Sequence, residues 1–267
     1  MASDSPTNAE SSRRQEPGTD RSTAHVGLVC THAPELKSLT DRLDRRRRYS
    51  DGGCRFIGGF LGPTIRVAVV EAGAGFASHR KAAEILVTEH SPAWIISSGF
   101  SSSLSDEVRA GDLCLATEIR DTHGQQLRLN CPIPESTHVI QRPHLVTDHH
   151  PATSSEKRQL ANRYSASAAD TVSLAVAQVC EASGTPCLSI RGVIDDLNED
   201  LPGSVVGALF EPKASELARN PVSRWVNTLS QPGTVKAWMS RAETVTARLD
   251  RFLSGVIRQI GEQLDRE

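Results

Sequence analysis

The stretch from Ala168 to Asp200, AADTVSLAVAQVCEASGTPCLSIRGVIDDLNED, constrains the fold most. Val172, Ala175, Val176 and Val179 recur at three- and four-residue spacing, which predicts an amphipathic helix, and Gly184 supplies its stop. The run that follows, Pro186 to Val193, is too short for a helix and apolar enough for a buried strand. Arg191 falls inside that strand, and Asp195 and Asp196 are expected just past its end. A helix leading into a strand tipped with carboxylates is a unit of an open α/β sheet, where ligands bind at the strand tips. Burying an arginine and two acids there without partners is costly, so they call for an ion pair or a ligand.

Upstream, the same alternation repeats from Val26. VGLVC reads as a strand, PELKSLTDRL as a helix, CRFIGGFLG and TIRVAVVEAG as a hairpin, ASHRKAAEILVTEH as a helix and AWIISSG as a buried strand. DLCLATEIRD and a helix over Ser154 to Tyr164 continue the series. This pattern predicts an α/β fold, a mixed sheet sandwiched by helices with pocket-forming loops at the strand ends. After Pro202 the rhythm changes. Val235, Trp238, Ala242, Val245, Leu249, Phe252 and Val256 give one long C-terminal helix a single apolar stripe. Packing against its own domain is the expected use of that stripe, with a coiled-coil homo-oligomer as the alternative.

A chain of 267 residues, 38% hydrophobic and 23% charged, can bury one large core but not two comfortable ones, so positions 25–267 are expected to form one domain. Positions 1–24 are rich in Ser, Thr, Pro and charge and read as a disordered tail. A net charge of −2 argues against nucleic acid as a partner. The run Arg45 to Arg48 reads as the solvated end of the helix begun near Pro34, where cations suit the dipole. The six cysteines lack CxxC pairing, which fits reduced thiols in the cytoplasm. Neither an export signal nor a membrane span is expected.

Three motifs invite chemistry. EAGAGFAS, around Gly73 and Gly75, partly satisfies a dinucleotide fingerprint, but Ser78 holds the third-glycine slot. Asp148, His149 and His150 are metal-ligand types, yet adjacent side chains seldom face one ion, so a polar pocket rim is the expected role and no cofactor is expected. Ser97, Ser98, Ser101, Ser102 and Ser103 surround Gly99 and Phe100 after a buried strand; the flanking glycines of a nucleophile elbow are missing. A loop of such small residues can approach a ligand closely.

The order VGLVCTHAPEL, VAVVEAGAGFASHRKAAEIL, AWIISSGFSSSLSDEVRAGDLCLATEI, AADTVSLAVAQVC and SIRGVIDD resembles the nucleoside phosphorylase and nucleosidase superfamily, which includes methylthioadenosine/S-adenosylhomocysteine nucleosidase. The resemblance covers roughly Val26 to Pro202. LVTDHHPATSSEKRQLA and the tail after DDLNEDLP most resemble the hopanoid-associated phosphorylase branch, whose members are thought to release adenine from adenosylhopane. It implies cleavage of a nucleoside N-glycosidic bond through an oxocarbenium-like transition state, with phosphate as a co-substrate in phosphorolytic members. Asp195 then matches the acid that protonates the purine leaving group, and Glu35 the residue that activates water in hydrolytic members. Gly99, Phe100 and Ser101, His149 and His150, and Thr171, Val172 and Arg191 are the expected substrate-binding positions.

The departures point to an unusual substrate. Val172 stands where the family carries the glutamate that grips the ribose hydroxyls, and Phe100 and Ser102 replace small residues of its GSAGG-type loop. Asp170, two residues away, is the alternative group to serve the sugar, although from a position on the helix it is expected to face elsewhere. Three readings follow: an enzyme acting on a purine nucleoside with a modified or apolar sugar substituent, a homologue that binds a purine-like ligand without turnover, and a structural subunit with an empty site.

Overall fold

The computed structural model describes residues 23–210, 233–264 and 266, so the expected tail lies outside the described residues up to position 22. The chain opens with β1 (Val26–Cys30), a 3-10 turn (Ala33–Leu36) and α1 (Lys37–Asp41). β2 (Asp44–Asp51), β3 (Cys54–Leu61) and β4 (Ile65–Glu71) form a meander that leads into α2 (Phe76–His90). Next come β5 (Trp94–Ser103), β6 (Leu113–Asp121), β7 (Gln126–Arg128), β8 (Val139–Val146) and α3 (Ser154–Tyr164). The described chain closes with β9 (Ala168–Asp170), α4 (Ser173–Ser183), β10 (Cys187–Asp195), α5 (Gly203–Leu209) and α6 (Gly233–Leu264).

The expected mixed α/β sheet is present, with helices around it. Its order is β10-β6-β8-β9-β5-β1-β4-β3-β2, and β7 pairs with β6. Because β10 pairs with β5 as well as β6, the strands β5, β10, β6, β8 and β9 close into a ring, from which β1, β4, β3 and β2 extend as a wing. β1, β4, β5 and β10 are buried along most of their length, as strands covered on both faces are.

Two expectations change here. Arg45 to Arg48 do not end a helix: α1 stops at Asp41, and the arginines lie in β2, the exposed outer strand of the wing. A row of cations on an edge strand discourages pairing with another chain, so the charge serves the sheet rather than a helix dipole. Ala168 to Asp170 form a short strand rather than the start of α4, because they pair with β5 and β8. Asp170 is therefore a strand-end residue.

The stripe on α6 packs against its own domain. Ala242, Val245, Leu249, Leu253 and Ile257 are at most 1% exposed. At about 1.5 to 3 kcal/mol for each fully buried large aliphatic side chain, this stripe stabilises the domain strongly. Gly192 makes the closest approach possible, since a Cβ there would lie 2.4 Å from Val245 Cγ1. All six cysteines are free. Among the described residues no helix is long and apolar enough to cross a membrane.

Candidate active site

The parallel register of β10 on β5 brings the site together, placing Arg191 beside Gly99 and Asp195 beside Ser102. Asp195 is the last residue of β10 and fully buried, rather than just past the strand. Its Oδ1 accepts from Ser102 Oγ at 2.6 Å. Its Oδ2 meets Lys157 Nζ, which also donates to the carbonyls of Asp196 (2.6 Å) and Glu199 (2.5 Å). Burial raises the Asp195 pKa to about 6, against the lowering pull of Lys157 and Ser102. His150 Nε2 lies 2.7 Å from Ser102 Oγ. With Asp195 ionised, Ser102 gives its one proton to the carboxylate, so His150 is the donor to Ser102. Burial, then the charge of Lys157, holds the His150 pKa down at about 3, which keeps the ring neutral. The ring stacks on Phe210 with centroids 3.3 Å apart.

A second cluster lies where β1, β5, β9 and β10 meet. Arg191 donates from Nη2 to Ser97 Oγ at 2.7 Å, and its Nε is 3.2 Å from Asp170 Oδ2, close enough for an ion pair but off the axis of a hydrogen bond. Asp170 Oδ1 accepts the N–H groups of Val172 and Ser173, both at 2.7 Å, and so caps α4. Asp170 thus faces the site, contrary to the expectation from a helical position. Glu35 sits beside them at the end of the 3-10 turn, and burial raises its pKa to about 8 despite the opposing charge of Arg191. A Cβ at Gly99 would lie 3.2 Å from Arg191 Nη1 and 3.4 Å from Glu35 Oε2, so only glycine lets these two groups approach without crowding.

These groups line a cavity of about 10 Å³ formed by Thr31, Glu35, Gly99, Phe100, Asp170, Thr171, Val172, Arg191, Leu209 and Phe210. Thr171 and Phe210 also line a wide groove of about 660 Å³ that runs past Gly75, Phe76, Arg80 and Thr147. That volume suits a small-molecule ligand.

Of the expected positions, Glu35, Gly99, Phe100, Thr171, Val172 and Arg191 meet at the small cavity, and His150 and Asp195 meet at Ser102. Ser101 is buried and its hydroxyl has no hydrogen-bond partner. His149 is not brought in: it is exposed and bonds Glu156 at 2.7 Å, because the turn after β8 sends neighbouring side chains opposite ways. Lys157, Asp170, Thr31 and His79 carry no motif that would mark them in the sequence. Among the described residues no group of three His, Cys, Asp or Glu could hold a metal ion. Gly75 caps α2 and borders the groove.

Fold and site together define an α/β protein with three buried carboxyl groups, Asp170 and Asp195 at strand ends and Glu35 in the 3-10 turn, next to a groove large enough for a nucleoside. The sequence model described as "Phosphorylase superfamily" matches residues 25–154. The chain is thus similar to that superfamily over these residues and shares its fold with solved nucleosidase structures. A 5'-methylthioadenosine/S-adenosylhomocysteine nucleosidase of Shewanella halifaxensis is 23% identical over 204 residues, 66% of this chain and 88% of the relative. The crystal structure of the nucleosidase of that name from Neisseria meningitidis, in complex with methylthio-immucillin-A, superposes with a TM-score of 0.67 at 16% identity, covering 90% of this chain and 99% of the other. A futalosine hydrolase mutant of Helicobacter pylori superposes with a TM-score of 0.59 at 14% identity, over 65% of this chain and 89% of the other.

Proposed function

We propose that this protein cleaves the N-glycosidic bond of a purine nucleoside with a modified or apolar sugar substituent. The observation that carries the reading is Asp195, a fully buried carboxyl whose pKa of about 6 leaves it able to hold and release a proton near neutrality. It would protonate the departing purine, while Glu35 takes a proton from the nucleophile. Val172 is 6% exposed and lines the small cavity, which makes the wall where the sugar would lie apolar. A nucleoside needs far more room than 10 Å³, so its binding would move Leu209 and Phe210 and extend into the groove. Incubation with adenosine, methylthioadenosine and adenosylhopane, with and without phosphate, tests this by the release of adenine. Adenine binding by calorimetry with no release from any of the three would favour the reading of a ligand-binding homologue, which Val172 also supports.

The two carboxyls set the pH dependence. The reaction needs Asp195 protonated, with its pKa about 6, and Glu35 ionised, with its pKa about 8. Below about pH 6 only the ionised fraction of Glu35 changes, and it falls tenfold per pH unit; above about pH 8 only the protonated fraction of Asp195 changes, and it falls likewise. Between them the two changes cancel. A profile of kcat/KM should therefore be flat from about pH 6 to 8 and drop on both sides. A single limb across the whole range would remove one of the two groups.

Val172→Glu places a third carboxyl next to Glu35 and Asp170, where Arg191 is already paired. The expected result is a loss of about 3 to 5 kcal/mol in a denaturant melt, the cost of a buried charge without a partner. A gain in adenosine affinity at unchanged stability would instead show a pocket that still fits unmodified ribose.

A further inference from the structure

We propose that Thr31 and His79 are positioning residues that make the small cavity select water, rather than phosphate, as the nucleophile. This inference rests on the proposed glycosidic cleavage and concerns the one reactant which that reading leaves open.

His79 is fully buried in the first turn of α2. Its Nδ1 lies 3.1 Å from the carbonyl oxygen of Gly75, a group that can only accept, so Nδ1 carries the proton. Burial lowers the His79 pKa to about 4, so the ring is neutral and Nε2 is left as an acceptor. Thr31 Oγ1 lies 3.3 Å from Nε2 and must therefore give its only proton to it. The Thr31 side chain then has nothing but lone pairs for whatever sits in the cavity that it lines.

The other groups around the cavity complete a set that suits water. Glu35 Oε2 and Arg191 Nη1 are buried without hydrogen-bond partners. The Thr31 and His32 backbone N–H groups donate to the Glu35 carboxyl, so Thr31 and Glu35 belong to one turn. Before a nucleoside enters, the cavity of about 10 Å³ has room for at most one water, and buried waters typically have about three polar partners. One water can accept from Arg191 Nη1 and donate to Glu35 Oε2 and Thr31 Oγ1. A phosphate dianion finds the opposite. Among the lining residues Arg191 alone is cationic, and Asp170 already neutralises it. Two carboxyl groups and an acceptor-only hydroxyl would face its oxygens.

In the reaction the water oxygen bonds to the anomeric carbon as the carbon–nitrogen bond breaks. The bonding pair leaves with the purine, which takes the proton of Asp195, and Glu35 takes the proton lost by the water. The products are a free base and a free sugar.

The test uses the full chain and the nucleoside that it cleaves best, with sugar and sugar phosphate separated as products. Wild-type protein should give free sugar at the same rate with or without inorganic phosphate. Thr31→Val keeps the shape and loses the acceptor, so kcat should fall about tenfold at unchanged KM, the equivalent of one hydrogen bond, and Thr31→Ser should recover most of it. In His79→Leu the Thr31 hydroxyl is free to donate, so phosphate should now raise the melting temperature, which it should not do for wild type. Sugar phosphate as a wild-type product, or unchanged kcat in a folded Thr31→Val protein, would overturn the inference. So would a phosphate-induced rise in the wild-type melting temperature that Glu35→Gln enlarges, since that places the anion in this cavity. If no nucleoside is cleaved, the functional reading fails, and the phosphate melts of wild type, Glu35→Gln and His79→Leu still decide what the cavity accepts.

Discussion

Asp195→Asn is expected to slow base release by about a hundredfold or more, because the amide keeps the shape of the acid and cannot supply its proton. The structure adds a second consequence. Lys157 is fully buried, and Asp195 is its counter-charge. With an amide in place of the carboxylate, the ammonium has only neutral acceptors, the carbonyls of Asp196 and Glu199 among them. An unpaired buried charge of this kind costs about 3 to 5 kcal/mol, so the variant should melt at lower denaturant as well as lose activity. Lys157→Met leaves the mirror-image problem, and the double variant should recover much of the stability without any activity, a coupling that a double-mutant cycle measures. Full activity in Asp195→Asn would remove the proposed acid, and additive stability losses would mean that the pair is not a pair.

Glu35→Gln should do the reverse: lose hydrolysis and gain stability. The folded-state pKa of Glu35 is raised from 4.5 to about 8 by burial. Between those values the unfolded chain has released this proton and the folded chain retains it, so Glu35 destabilises the fold progressively as pH rises through that window. Glutamine carries no such penalty. The variant should match wild type near pH 4 and exceed it by up to roughly 5 kcal/mol at pH 8, since each pH unit between the two values contributes about 1.4 kcal/mol. Denaturant melts at the two pH values check this; equal differences at both would show that the folded-state pKa of Glu35 is not raised. A group that costs stability in the resting protein and serves the proposed reaction is a familiar trade-off at functional sites.

Much of this is legible from local pattern. The helix over Ser154–Tyr164, the stop at Gly184 and the carboxylate at the tip of β10 follow from periodicity and turn chemistry, and all three appear in the structure. What escapes the sequence is mostly long-range. Lys157 lies on a polar helix whose other side chains are exposed or half-buried, and only the return of the chain 38 residues later puts Asp195 against it. Thr31 and His79 stand 48 positions apart and meet through the packing of α2 over β1. Asp170 reads as helical because three residues are too few to show a strand period, and the pairing partners that fix them lie on β5 and β8. The arginines of β2 mislead for a related reason: four like charges in a row carry neither period, and only their position at the rim of the sheet gives them a meaning.

The docking of α6 has a further consequence. Arg241 on that helix donates to both carboxylate oxygens of Glu199, at 2.6 and 3.2 Å, and Glu199 in turn accepts the N–H of Asp196 at 3.0 Å. Glu199 raises the pKa of Asp195, and Arg241 offsets that negative charge only while α6 is seated. Linkage makes the relation mutual: a seated helix eases the ionisation of Asp195, and ionised Asp195 favours the seated helix. In the proposed reaction, loss of the proton from Asp195 would therefore favour the docked helix, a link between the site and an element packed behind it.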